Sequence, residues 1–290
     1  MSDRNIFLTL TPADDQGLAA DAFRLQHNEA RYTRPSTFDD GPSRETTPGD
    51  SFNENLNDEL EYVHRIHLRF DQNTKLKGRV TFGSDPDRSD VLLTPKRRQH
   101  GISGLHFYIT FDNQNRPVVR DTSKKGLTVS YDGQAVDERR RHFQWIIFPG
   151  YKQVRITSPQ EQHVRLAFDA HRPHYYETYP QDYEKNVKRF MVDAPQEHEV
   201  AFVDLALHSQ STSFAPSESL SPNKRPVYLE QNRLGKGAFG CVWKVVNAST
   251  GLEYAGKEYF HKKGWEKEIQ IMRQLYHVRA LLIAFRTIDC

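Results

Sequence analysis

Cysteine is almost absent: two residues in 290, Cys241 and Cys290. Two thiols build no disulfide framework, and such sparing use suits a reducing compartment, the nucleus or the cytoplasm. Long apolar runs are missing too. The longest, Trp145–Phe148 and Ala280–Phe285, fall far short of the ~20 residues a membrane-spanning helix needs, and the N-terminus lacks the basic-then-apolar pattern of a signal peptide. No membrane association is expected. Neither charge dominates: 40 Lys and Arg against 38 Asp and Glu leave +2, which gives no argument for a nucleic-acid partner. The thirteen histidines are scattered and no CxxC or HExxH spacing occurs, so no metal site is expected. No nucleophile–histidine–acid set stands out either, and there is no internal repeat.

What is present divides into four stretches. Residues 1–58 open on a short apolar patch, Ile6–Leu10, and then become rich in Asp, Pro, Ser, Thr and Asn. They are expected to be mostly disordered. Residues 59–170 change texture to short apolar segments at close intervals. Candidate strands are Tyr62–Phe70, Arg79–Gly83, Val91–Leu93, His106–Phe111, Pro117–Arg120, Leu127–Tyr131, Phe143–Phe148, Gln153–Ile156 and Val164–Phe168. Turn residues such as Asp112–Asn115, Asp132-Gly133 and Pro149-Gly150 separate them. Many short strands without a long helical pattern predict a β-sandwich. Residues 171–225 form a connecting segment: Asp182–Met191 is expected to be helical, and Leu207–Pro226, with six serines and three prolines, reads as a flexible linker.

Residues 226–290 carry the densest motif, Leu234–Lys257. Gly235, Gly237 and Gly240 leave a turn without side-chain bulk and with many free backbone N–H groups, which is how a chain closes over phosphate oxygens. A dinucleotide-binding turn would open straight into a helix. Here Cys241–Val246 is β-branched and aromatic and reads as a strand, Asn247–Gly251 as a turn, and Leu252–Tyr259 as a second strand. A further segment, Trp265–Leu275, carries Trp265, Ile269, Met272 and Leu275 at helical spacing, with Glu268 at the edge of that stripe.

Two resemblances follow from these motifs. The glycine hairpin with Phe239 before its third glycine, Val242 behind it and Lys257 ending a YAGK strand resembles the ATP-binding start of the eukaryotic protein kinases. The resemblance implies ATP held by Leu234, Gly235, Lys236, Gly237, Ala238, Phe239, Gly240, Val242, Ala255 and Lys257, with Glu268 orienting the lysine. No HRD-type catalytic loop and no DFG follow, so this 290-residue chain contains no catalytic residue and no Mg²⁺ ligand of that family. It is expected to be inactive alone, and Mg²⁺ would enter only with a complete kinase domain.

Within residues 60–170, Phe82-Gly83, Gly101–His106 and Asp121–Val129 resemble, in order and spacing, the forkhead-associated (FHA) domain. That family binds phosphothreonine peptides. The resemblance implies a phosphopeptide site at Ser103, Gly104, Lys124 and Lys125, with His106 bracing the loop. Two positions depart from its pattern. The arginine that normally follows the glycine is Ser84, and the asparagine that normally clamps the peptide is Lys125. Lys124, Lys125 or the run Lys96-Arg97-Arg98 could restore the positive charge.

Together the expectation is a multidomain, mainly β chain: an FHA-type β-sandwich followed by a partial protein-kinase N-lobe, an antiparallel sheet plus one helix. It resembles the FHA-containing checkpoint-kinase-like members of the calmodulin-dependent-kinase-like group. The implied function is an ATP-binding serine/threonine kinase recruited by a phosphothreonine-containing protein to a protein substrate. The alternative is a non-catalytic FHA adaptor with a vestigial kinase fragment.

Overall fold

The computed structural model describes residues 3–15, 17–36, 63–159, 165–192, 194 and 225–260, with the backbone of 284–285. The chain is mainly β and divides into two compact units, Met1–Ala201 and Phe202–Cys290.

Among its described residues the first unit holds eleven strands in chain order: β1 (Ile6–Pro12), β2 (Tyr32–Thr33), β3 (Arg65–Arg69), β4 (Val80–Gly83), β5 (Val91–Leu92), β6 (Phe107–Phe111), β7 (Pro117–Asp121), β8 (Thr128–Tyr131), β9 (Gln144–Ile146), β10 (Val154–Pro159) and β11 (Arg165–His171). They form a six-stranded sheet, β2-β3-β1-β11-β10-β8, and a five-stranded sheet, β5-β4-β6-β7-β9. Every pairing is antiparallel except β4 with β5. Each of the nine strands expected from the sequence has its counterpart here. The sheets face each other across an apolar core. Phe107 of β6 meets Phe168 of β11, Phe7 of β1 meets Phe111 of β6 at 5.0 Å, and the Tyr131 hydroxyl of β8 donates to the Ile146 carbonyl of β9.

The N-terminal region corrects the sequence expectation. Ile6–Pro12 is an interior strand, paired with β3 on one side and β11 on the other. Leu8, Leu10, Leu68, Ile66 and Phe168 share its core face and are buried. A register shift between Ile6 and Leu8 lets Phe7 join the core as well. A six-residue helix, α1 (Leu18–Phe23), follows and buries Ala19, Ala20, Ala22 and Phe23. Asn28 then fastens the segment to β5: its amide donates to the Ala22 and Leu92 carbonyls and its oxygen accepts the Leu92 N–H, all within 2.8 Å. The polar composition that predicted disorder reflects residues beyond 36, outside the described ones.

The start of the connecting segment, after β11, also belongs to this unit. A short turn of helix, α2 (Tyr175–Thr178), leads into α3 (Pro180–Met191). Pro180 opens α3 at a position where its missing N–H is harmless. Tyr183, Val187 and Phe190 recur on one face and are buried. Phe190 packs on Phe7, Phe70 and Phe111, and Tyr183 on Phe70 and Phe111. Arg4 anchors the outer side, paired with Asp182 and lying over the Tyr179 ring.

The second unit is a sheet of β12 (Tyr228–Gly237), β13 (Gly240–Asn247), β14 (Glu253–Tyr259) and β15 (Ala284–Phe285), in that order. The β13–β14 turn is fixed by Asn247, whose side-chain oxygen accepts the Ser249 and Thr250 N–H groups. The helix expected over Trp265–Leu275, with Glu268, lies outside the described residues.

Candidate functional site

At one end of the sandwich, three chain segments converge around Ser103. Gly83 ends β4 so close to the next loop that a Cβ there would lie 1.9 Å from the Gly104 carbonyl oxygen. Only glycine fits, and the close approach lets Ser84 and Asp85 N–H groups donate to the Ser103 and Gly104 carbonyls. Ser84 itself is buried. Its hydroxyl donates to the Ile102 carbonyl and accepts the Arg98 N–H, both at 3.0 Å. The residue standing where the resemblance would have an arginine is thus a structural tie between two loops.

His106 braces the same loop from within. The Ser103 N–H donates to its Nδ1 at 3.0 Å, so the ring proton sits on Nε2 and is donated to Ser158 Oγ of β10 at 2.7 Å. Burial lowers the His106 pKa to about 4, so the ring stays neutral and Nδ1 remains an acceptor near neutral pH. The Ser103 hydroxyl is half-buried and accepts the Lys124 N–H at 3.3 Å.

The Lys124–Lys125 turn is in turn fixed by Asp121. One carboxylate oxygen accepts the Ser123 N–H and hydroxyl, and the other the His142 N–H. Ser123 Oγ accepts the Gly126 N–H. Burial raises the Asp121 pKa, opposed by these hydrogen bonds. Ser103, Gly104, Lys124 and Lys125 are therefore brought together at one loop cluster. Lys124 is exposed and Lys125 half-buried. The bracing roles of Ser84 and Ser158 depend on contacts between distant segments and had no local signal; Asp121 combines a local bond to Ser123 with a distant one to His142.

In the second unit the glycines do not all lie in a turn, as the sequence implied. Gly235 and Gly237 end β12, Gly240 opens β13, and Ala238-Phe239 alone make the turn, closed by the Gly237–Gly240 pair. A Cβ on Gly240 would sit 2.0 Å from the Glu258 carbonyl oxygen, so this glycine serves sheet packing. Cβ atoms on Gly235 and Gly237 would meet nothing within 4 Å, so their backbone is open to an outside group. Leu234, Lys236, Ala238 and Phe239 are exposed. Strand register places Gly235 opposite Val242, Val242 opposite Lys257, and Ala255 two residues from Lys257. These four share one face of the sheet. The Lys257 ammonium lies 4.8 Å from the Tyr259 ring centroid.

Solved structures similar to this chain include FHA-domain structures. One is an engineered FHA with a Myc-pTBD peptide, at 13% identity and TM-score 0.34, the match covering 61% of this chain and 99% of that one. The N-terminal FHA domain of S. cerevisiae Rad53p in complex with a phosphothreonine peptide matches at 18% identity and TM-score 0.26, over 37% of this chain and 77% of that one. A crystal structure of Rad53 1-466 in complex with AMP-PNP matches at 14% identity and TM-score 0.35 over 95% of this chain. The match spans about half, 49%, of that longer chain. No protein-family model matches the sequence and no curated protein matches it.

Proposed function

We propose that the first unit is an FHA-type module that binds phosphothreonine-containing proteins through Ser103, Gly104, Lys124 and Lys125. The carrying observation is the Ser103–Lys124 juncture, where a half-buried hydroxyl and a backbone N–H are held 3.3 Å apart by buried braces on both sides. A phosphate dianion is served by such a set: a hydroxyl, backbone N–H groups and nearby lysine charge. The test is fluorescence anisotropy with a degenerate phosphothreonine peptide pool and its unphosphorylated twin. Binding should be confined to the phosphorylated pool and weaken roughly tenfold in Ser103→Ala, about the 1.4 kcal/mol of one charge-assisted hydrogen bond. Equal binding of the two pools would remove this reading.

For the second unit we propose the ATP-binding start of a serine/threonine protein kinase, within a protein of the nucleus or cytoplasm recruited to its protein substrate by the sandwich. Leu234, Gly235, Lys236, Gly237, Ala238, Phe239 and Gly240 would cover the phosphates. Val242 and Ala255 would flank the adenine, Lys257 would hold the α- and β-phosphates, and Glu268 would orient it; Mg²⁺ would act only with a complete kinase domain. The open backbone at Gly235 and Gly237 and the shared face of Val242, Ala255 and Lys257 support this. ATP should raise the melting temperature of the second unit and fail to do so in Lys257→Ala. An ATP-independent melt would favour the non-catalytic adaptor.

A further inference from the structure

A phosphate dianion set among a hydroxyl and two loops needs a fixed cation as well as neutral donors. The position after Gly83 does not supply it: Ser84 is buried, with its hydroxyl engaged in two hydrogen bonds. Building on the phosphopeptide reading above, we infer that the guanidinium of Arg98 supplies this charge, delivered from the loop before Ser103 instead of from β4.

Four observations converge on Arg98. Its backbone N–H donates to Ser84 Oγ at 3.0 Å, while the Ser84 backbone N–H donates to the Ser103 carbonyl at 3.0 Å. One buried serine therefore joins the Arg98 backbone to the loop that carries the phosphate-binding hydroxyl. Second, the backbone is held in an unusual shape. Arg98 has φ +60°, His100 +53° and Gly101 +75°, around a single tight turn at Gln99–Gly101. Two non-glycine residues in the left-handed region within three positions persist only where the surroundings enforce them, and such backbone gathers at binding sites.

Third, two other guanidiniums of this end are engaged. Arg97 forks between Asp85 and Asp87, each at 2.8 Å, and Arg140 pairs with Glu138. Arg98 is exposed, and among the described residues no carboxylate pairs with it. Fourth, the Arg97 fork has its own consequence. Asp85 lies beside Gly104, its Cβ 3.3 Å from where a Gly104 Cβ would stand, and an unmasked carboxylate there would repel a phosphate. Arg97 offsets Asp85 and Asp87, which leaves the charge of Arg98 for a ligand. Lys96 and Lys124 are exposed and add point charges to the rim, but a planar guanidinium can give two parallel N–H bonds to one phosphate.

The experiment measures anisotropy of the full chain with the degenerate phosphothreonine pool, comparing Arg98→Ala, Arg98→Lys and Arg88→Ala. Arg88 is an exposed arginine of the Asp85–Ser89 turn and controls for loss of one rim charge. Arg98→Ala should weaken binding at least tenfold, Arg98→Lys by an intermediate amount, and Arg88→Ala by no more than about threefold. Because the Arg98 side chain is exposed and its backbone bond survives substitution, Arg98→Ala should melt with the parent, so the loss reads binding and not folding. If Arg98→Ala binds within threefold of the parent, or Arg88→Ala falls as far, the assignment is overturned while phosphopeptide binding stands. If the parent does not distinguish the phosphorylated pool, both fall together.

Discussion

A chain beginning at residue 59, where composition alone would place the start of the sandwich, is expected not to fold. It lacks β1, the strand between β3 and β11, together with β2 and α1. Removing β1 takes Phe7, Leu8 and Leu10 from the core, and α1 takes Phe23, all fully buried. Each such side chain contributes roughly 1.5–3 kcal/mol of burial, so four approach ~10 kcal/mol. That is comparable to the whole stability of a domain, about 5–15 kcal/mol. The loss also leaves β3 without either neighbour and β11 with an open edge, which invites association. Deleting Asn28 adds a buried Leu92 N–H without its partner. Residues 59–201 should therefore show no cooperative thermal transition and should elute as aggregate, whereas residues 1–201 should melt cooperatively. A cooperative melt of 59–201 within a few degrees of 1–201 would contradict the placement of β1.

That boundary error shows where the sequence was legible. The strands from Arg65 to His171 alternate with strong turn residues, and each turn fixes its neighbours locally, so their existence followed from periodicity. Ile6–Pro12 has the same apolar character but no local partner. Its neighbours in the sheet, β3 and β11, lie about 60 and 160 residues away, and nothing in a seven-residue window encodes so distant a pairing. α3 matches the helix expected over Asp182–Met191, but its role had no local signal, because Tyr183 and Phe190 find Phe7, Phe70 and Phe111 only in three dimensions. At the site, motif spacing singled out Ser103 and Lys124. It could not show that Ser84 is buried and tied to Arg98, since that bond joins residues fourteen apart through side-chain geometry. The glycine hairpin was legible in its strands and misplaced in its turn, because pairing of Gly237 with Gly240 depends on the register of whole strands.

Mild acid should destabilise the sandwich well before its carboxylates titrate. His106 has its pKa lowered to about 4 by burial. His67, on β3 and hydrogen-bonded to Thr9 of β1, is lowered to about 4 by burial first and then by Arg65 and Arg69. Burial also lowers His171, whose ring bonds Thr11. An unfolded histidine titrates near 6.5, so between about pH 4 and 6.5 the unfolded chain binds protons that the folded chain does not. Stability therefore rises with pH across that window and is lost as pH falls through it, levelling off below about 4. At 1.36 kcal/mol per unit, His106 accounts for on the order of 3 kcal/mol, and the half-exposed His67 for about half as much after solvent screening. Asp3 and Asp71, whose pKa values are lowered by hydrogen bonding, lose their stabilising effect as pH falls through and below the unfolded carboxylate value of about 4. Asp121, raised by burial, works in the opposite sense near pH 4. Urea midpoints of residues 1–201 should be flat above pH 7 and fall by pH 4.5, and His106→Gln should remove the larger share of that slope. An unchanged slope in both His106→Gln and His67→Gln would mean that neither ring is held neutral by the fold. The same protonation would leave the Ser103 N–H without its acceptor, since a charged ring donates from both nitrogens. The loop that presents the Ser103 hydroxyl should therefore loosen only as pH falls to about 4, where the folded-state ring takes up its proton, and stability rather than peptide affinity is the clean readout, because a phosphate ester itself gains a proton near pH 6.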